Sequence, residues 1–163
     1  MGDTYTGRSG QLAVMAELLL LKCNVAVPEV DEGTDVFAFI ERRPEVARLQ
    51  VKTARAKPYR SEEGYSAMFN VPLRELRGPP PQPPVYYVLA ARLDEDWADF
   101  IVISREQLAD FYWRCSGKQV DNHFVFRVQF RPEEVRYGEI DLTPFRNAWQ
   151  ALPPFGEPIV VRS

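Results

Sequence analysis

Leu12, Met15, Ala16 and Leu19 recur at helical spacing, and Val14, Leu18 and Leu21 widen the stripe. This predicts a helix over residues 11–22, buried on most of its surface. Thr6 or Ser9 is the candidate N-cap, residues 1–8 read as a loose segment or a cap, and Asn24 suits a left-handed helix end. The period then shortens. Residues 25–27, 35–40 and 48–53 are three short β-rich runs in succession, separated by a turn at 31–33 and a charged link at 41–46 that contains Pro44. Residues 54–64 are polar and basic and predict a mobile loop, and Tyr59 within it and Tyr65 just after it can stack on bases or pack internally. Residues 66–71 predict a fourth strand and 72–76 a single helical turn.

The second half alternates in the same way. Prolines at 79, 80, 81, 83 and 84 exclude helix and central strand from that stretch. Residues 85–91 and 100–104 predict two strands joined by the acidic turn 94–99, Ser104 caps a helix through Trp113, and 122–130 predicts another strand. Thr143 followed by Pro144 predicts a helix to Leu152 with Phe145 and Trp149 on one face, and the tail from 157 is an edge strand or loose. With no internal repeat, residues 1–163 form a single domain of α/β (α+β) class, a mixed sheet of about five or more strands flanked by helices. The core spans about 9–104 and a C-terminal extension about 105–163.

Composition narrows the function classes. No apolar run approaches the ~18 residues of a membrane helix, and the N-terminus lacks the pattern of a signal peptide. Cys23 and Cys115 read as two lone thiols in a reducing cytoplasm. With His123 as the single histidine and two cysteines, neither a histidine-rich nor a four-cysteine zinc site can form. The total charge is −3, yet Arg42, Arg43, Arg48, Lys52, Arg55, Lys57 and Arg60 stand against the single acid Glu45 within residues 42–60. That local excess of positive charge suits a polyanion, against the alternative of solvated loop charges.

The candidate chemistry lies at Asp35, Gln50 and Lys52. Strand alternation points Gln50 and Lys52 one way and Leu49 and Val51 the other, so one strand offers two polar groups to a site and two apolar groups to a core. If the second and third strands pair, Asp35 lies near both polar groups. A carboxylate can hold a hard divalent cation, a glutamine oxygen can add a neutral ligand, and a lysine can orient or help deprotonate an attacking water. Other motifs are weaker. Ser116-Gly117-Lys118 lacks the glycine pattern of a phosphate loop, the acidic turn lacks calcium-loop spacing, and His123 has no identifiable nucleophile beside it. Arg77, Pro80 and Pro83 fit a polyproline-ligand spacing, though a stiff spacer explains them as well.

The helix containing Gly10 and Gln11, the run from Asn24 to Pro28, Asp35 with its strand, and Gln50-Val51-Lys52-Thr53 resemble, in that order, the PD-(D/E)XK nuclease superfamily. The likeness is to its small members, among them Holliday-junction resolvases and intron-encoded homing endonucleases. It implies a restriction-endonuclease-like fold and Mg²⁺- or Mn²⁺-dependent hydrolysis of DNA phosphodiesters. It also implies metal ligation by Asp35, Gln50 and the carbonyl of Val51, water positioning by Lys52, and Gln11 or Glu17 completing the outer shell. Arg42, Arg43, Arg48, Arg55, Lys57 and Arg60 become DNA contacts, and a homodimer is plausible because cutting two strands calls for two sites. Gln11 and Gln50 are amides where such relatives usually carry acids, with Glu17 or Asp31 as substitutes for the missing charge. Two alternatives therefore stand: an inactive nuclease-fold module that binds DNA, and a protein-interaction domain using the proline segment.

Overall fold

The computed structural model describes residues 4–30, 32–114 and 118–156. A helix, Thr4–Leu20 (α1), precedes strands Asn24–Ala26 (β1), Val36–Phe39 (β2), Val46–Pro58 (β3) and Tyr65–Pro72 (β4). A single helical turn, Leu73–Leu76 (α2), leads into a hairpin, Val85–Leu93 (β5) and Asp96–Ser104 (β6). After the helix Arg105–Arg114 (α3) come Gln119–Val120 (β7), His123–Phe130 (β8), Val135–Tyr137 (β9) and Ile140–Asp141 (β10), then 3-10 turns at Thr143–Phe145 and Trp149–Ala151. The mixed α+β expectation holds, with ten strands among the described residues.

The long strand β3 belongs to two half-sheets. Its first part pairs antiparallel with β2, Val36 opposite Leu49, and parallel with β5, Gln50 opposite Tyr87 and Lys52 opposite Leu89. Its last residues pair antiparallel with β4, Ala56 opposite Ala67, and β4 continues into β8. β2 pairs only as far as Leu49 and β4 only from Ala56, so residues 50–55 have β5 on one side and no strand on the other. That gap is a local sheet edge inside the molecule.

Alternation along β3 sends Leu49 and Val51 to one core, as the sequence predicts, and the opposite face, expected to serve a site, also carries a second core. Leu49 packs with Val14, Leu18, Val36, Val88 and Trp149 under α1. The opposite face carries Ala54, Leu89 and Ile101 into a second core with Phe69, Phe124 and Phe126, closed by α3. Ser104 caps α3 reciprocally: its hydroxyl accepts from the Gln107 amide at 3.2 Å, and its own amide donates to Gln107 Oε1 at 3.1 Å.

Several local expectations change. α1 starts at Thr4, so Thr6 and Ser9 lie inside it, and the Ser9 hydroxyl donates to the Thr6 carbonyl at 3.0 Å instead of capping. The left-handed residue after α1 is Lys22, φ 61°, while Asn24 opens β1. α1 buries a narrow stripe of Thr6, Gly10, Val14 and Leu18, leaving Leu12 50 % and Leu19 54 % exposed. The cause is a close approach at Gly10, where a Cβ would run into Thr53 Cγ2 and stand 2.8 Å from the Trp97 ring. Residues 54–58, expected in a loop, continue β3, because Ala54 and Ala56 face the second core. The acidic turn shrinks to a tight hairpin at Asp94, φ 53°.

The helix expected from Thr143 to Leu152 is broken into the two 3-10 turns. Arg146 is extended there, and its guanidinium holds Asp99 at 2.7 and 3.0 Å and the Arg131 carbonyl at 2.8 Å. Asn147 takes φ 50° and accepts the Phe100 amide at 3.0 Å. These tertiary bonds outweigh a local helix and send Phe145 and Trp149 into different cores. Cys23 is buried as a free thiol whose pKa burial raises, while Asp31, Cys115 and the tail from 157 lie outside the described residues. No helix among the described residues is long and apolar enough to cross a membrane.

Candidate active site

The gap in β3 is filled by Asp35. One step beyond the Val36–Leu49 pair, its amide donates to the Leu49 carbonyl at 2.8 Å, and its Oδ2 accepts the Val51 amide at 2.7 Å. The carboxylate thereby takes the place of a missing strand. Because the N–H and C=O of one strand residue face the same edge, the Val51 carbonyl also points into the gap. Gln11 reaches across from α1, its Nε2 donating to the Asp35 carbonyl at 2.6 Å while its Oε1 accepts from Arg8 at 2.5 Å. Gln11 therefore positions the Asp35 backbone, and Gly10 lets α1 come close enough for it to do so.

Gln50 and Lys52 share the face opposite α1, as alternation predicts. Gln50 is 8 % exposed, and its Oε1 is buried without a hydrogen-bond partner among the described residues. An orphaned buried acceptor costs about 1–3 kcal/mol, so this atom is a standing demand for a cation or donor. Lys52 Nζ lies 3.0 Å from Glu75 Oε2 and 3.1 Å from Oε1. Tyr87, in register with Gln50, donates its hydroxyl to Glu75 Oε2 at 2.8 Å. The Tyr87 hydroxyl is pushed far above its ordinary pKa, first by burial, then by the Glu75 charge and also by Asp35. Two carboxylates thus act on one phenol.

Glu75 and Tyr87 were missed by sequence reasoning. Glu75 sits on the one-turn helix α2, and Arg105 fixes that turn by donating to the carbonyls of Glu75 at 2.8 Å and Arg77 at 2.9 Å. Only the parallel pairing of β3 with β5, a non-local event, brings either residue to the site. Glu17 lies farther along α1. Among the described residues no three of His, Cys, Asp and Glu converge to hold a metal, so Glu17 forms no triad with Asp35 and Glu75.

The basic residues do not form one stripe. Arg48 is spent on structure, bonding Thr34 Oγ1 at 3.2 Å and the Pro83 carbonyl at 3.3 Å, and Arg43 bonds the Pro154 carbonyl at 2.8 Å. Arg55 and Lys57 are exposed on the face of Thr53, away from Lys52, while Arg42 and Arg60 are exposed outside the strand. The proline segment holds no regular structure, as expected.

Asp35, Gln50 and Val51 carry the donor types a hard divalent ion takes: a carboxylate, an amide oxygen and a backbone carbonyl on neighbouring strand positions. The fold around these residues is a mixed α+β domain. Among solved structures the chain is similar to a bacterial homing endonuclease, I-Ssp6803I, with TM-score 0.54 and 16 % identity over 92 % of this chain and 91 % of that one. At that identity the likeness shows the fold. No model of a known protein family matches the sequence, and no curated protein does.

Proposed function

We propose that the chain is a divalent-metal-dependent endonuclease acting on DNA, of the PD-(D/E)XK type with glutamine on its third strand. The observation that carries this reading is the Asp35 carboxylate held on the Val51 amide at the gap in β3, with the orphaned Gln50 Oε1 on the preceding residue of the same strand. Asp35, Gln50 and the Val51 carbonyl would hold Mg²⁺ or Mn²⁺. The chemistry such an ion supplies is activation of water and neutralisation of charge on the phosphate. Lys52 orients the attacking water and offsets phosphate charge, and Glu75 fixes the ammonium in place. Gln11 keeps Asp35 in register. A homodimer would present two such sites, one for each strand of a duplex.

The test is cleavage of supercoiled plasmid and of a branched DNA, with Mg²⁺ or Mn²⁺, by wild type and Lys52→Ala. Metal-dependent nicking that disappears in the variant is the expected result. A second reading, an inactive module that binds DNA through the same fold, is favoured by the two amides at Gln11 and Gln50. Wild type that retains DNA at low salt and never nicks it would select that reading.

A further inference from the structure

An open cleft of about 760 Å³ lies beside α2, lined by Pro72, Leu73, Arg74, Arg77, Asn122 and His123 among others, with no acid among the described residues of its wall. The cleft is a built feature. Arg105 is buried and ties down the carbonyls of Glu75, Arg77 and Gly78, at 2.8, 2.9 and 3.2 Å. The Leu73 amide donates to the Asn122 carbonyl at 2.8 Å, joining α2 to the left-handed turn at Asp121 and Asn122. The His123 ring is anchored through Nδ1 to the Asp121 carbonyl at 2.8 Å. Both walls are therefore fixed to the fold.

Many arginines of the surface are held by acids, while among the described residues Arg74 and Arg77, like Arg42 and Arg60, are not, and Arg74 and Arg77 share one cleft. Arg92 pairs with Glu95, Arg114 with Asp110, Arg131 with Glu62 and Glu134, and Arg146 with Asp99. Among the described residues Arg74 and Arg77 have no acidic partner. Glu75 stands between them in sequence, but its oxygens are turned to Lys52 and Tyr87. Two unpaired guanidinia three positions apart, lining a cleft large enough for a nucleotide, are suited to bidentate phosphate contacts.

We propose that the Arg74–Arg77 cleft binds the sugar–phosphate backbone of the nucleic acid beside the bond that is cut. This rests on the endonuclease reading and gives it a docking surface in addition to the basic residues at 42–60. Arg74 directly precedes Glu75, whose carboxylate is 3.0 Å from Lys52, so the turn that carries the cleft's arginines is the same turn that reaches the candidate site. Such contacts position the strand and carry no sequence information.

The test measures binding apart from cleavage: fluorescence anisotropy of a labelled random-sequence DNA duplex, in EDTA, over a series of salt concentrations. The proteins are wild type, Arg74→Ala/Arg77→Ala and, as a control, Arg131→Ala, each checked by thermal melting followed by circular dichroism. Loss of two phosphate contacts should flatten the slope of log K against log salt by about 1.8 and weaken low-salt binding by roughly tenfold or more, with Arg131→Ala unchanged. A double variant that melts like wild type and keeps the wild-type slope overturns the proposal while leaving the endonuclease reading intact. Wild type that fails to bind the duplex at low salt overturns both.

Discussion

Lys52 and Glu75 are 23 residues apart in the chain, yet their charged ends lie 3.0 Å apart with side chains 16 % and 22 % exposed. The pair ties the strand of the candidate site to the turn that lies over it. Removing one partner leaves a largely buried charge without its counter-ion. Glu75→Gln should therefore cost about 1–3 kcal/mol in urea unfolding and reduce nicking, because the lysine is no longer held. A double-mutant cycle with Lys52→Met and Glu75→Leu should give a coupling energy on the order of 1 kcal/mol. A coupling of zero would show that the two groups are neighbours without consequence.

Gln50→Glu should act in opposite directions with and without metal. The variant puts a buried carboxylate where an orphaned amide oxygen now stands, one residue before the Val51 amide that Asp35 holds. Two acids on neighbouring strand positions repel, so the metal-free protein should lose stability at neutral pH. The same charge should tighten Mn²⁺ binding, read by calorimetry, and raise the metal-induced increase in melting temperature. Unchanged Mn²⁺ affinity would remove Gln50 from the ligand set.

Two glycines of α1 predict opposite outcomes. Gly10→Ala places a methyl group against Thr53 and Trp97, so the helix must lift from β3, at a cost of about 1–3 kcal/mol. Gln11 would move with it and loosen Asp35. Gly7 is exposed, with nothing within 4 Å of its added Cβ, so Gly7→Ala should stabilise the helix by up to about 1 kcal/mol. Equal effects at the two positions would refute the close-approach account.

Tyr87 gives a pH dependence whose sign is set by its environment. Burial and Glu75 raise its folded pKa above the unfolded value of about 10. Its contribution is therefore fully present below about pH 10 and is lost as pH rises toward the folded pKa, because the unfolded chain releases the proton first. Tyr65 behaves alike, raised by burial and by its hydrogen bond to Asp99. Urea midpoints should fall on the alkaline side, and Tyr87→Phe should shed part of that fall. A variant with the wild-type alkaline slope would contradict this account.

The sequence was most legible where chemistry and period coincide along one short run. Gln50 and Lys52 share a face because strands alternate, and Asp35 reaches the Val51 amide between them because the second and third strands pair antiparallel. What stayed hidden depends on distant contacts. Glu75 and Tyr87 carry no local signal, since a parallel pairing across an intervening strand and turn delivers them. The leucines of α1 promised a wide buried face, but one glycine contact set the helix down on a narrow stripe. The C-terminal helix was a sound reading of Thr143 and Pro144 until Asp99 drew Arg146 away. Basic residues close in sequence were scattered because β3 runs on past Thr53 and turns successive side chains to opposite faces.

The sharing of β3 between the two half-sheets has a consequence for how the molecule comes apart. Leu49 and Ala54 lie on one continuous strand yet belong to different cores, so neither half can melt without exposing the strand that roofs the other. Hydrogen exchange should therefore find the β3 amides bonded to β5, on both sides of the gap, opening together and only with the whole chain.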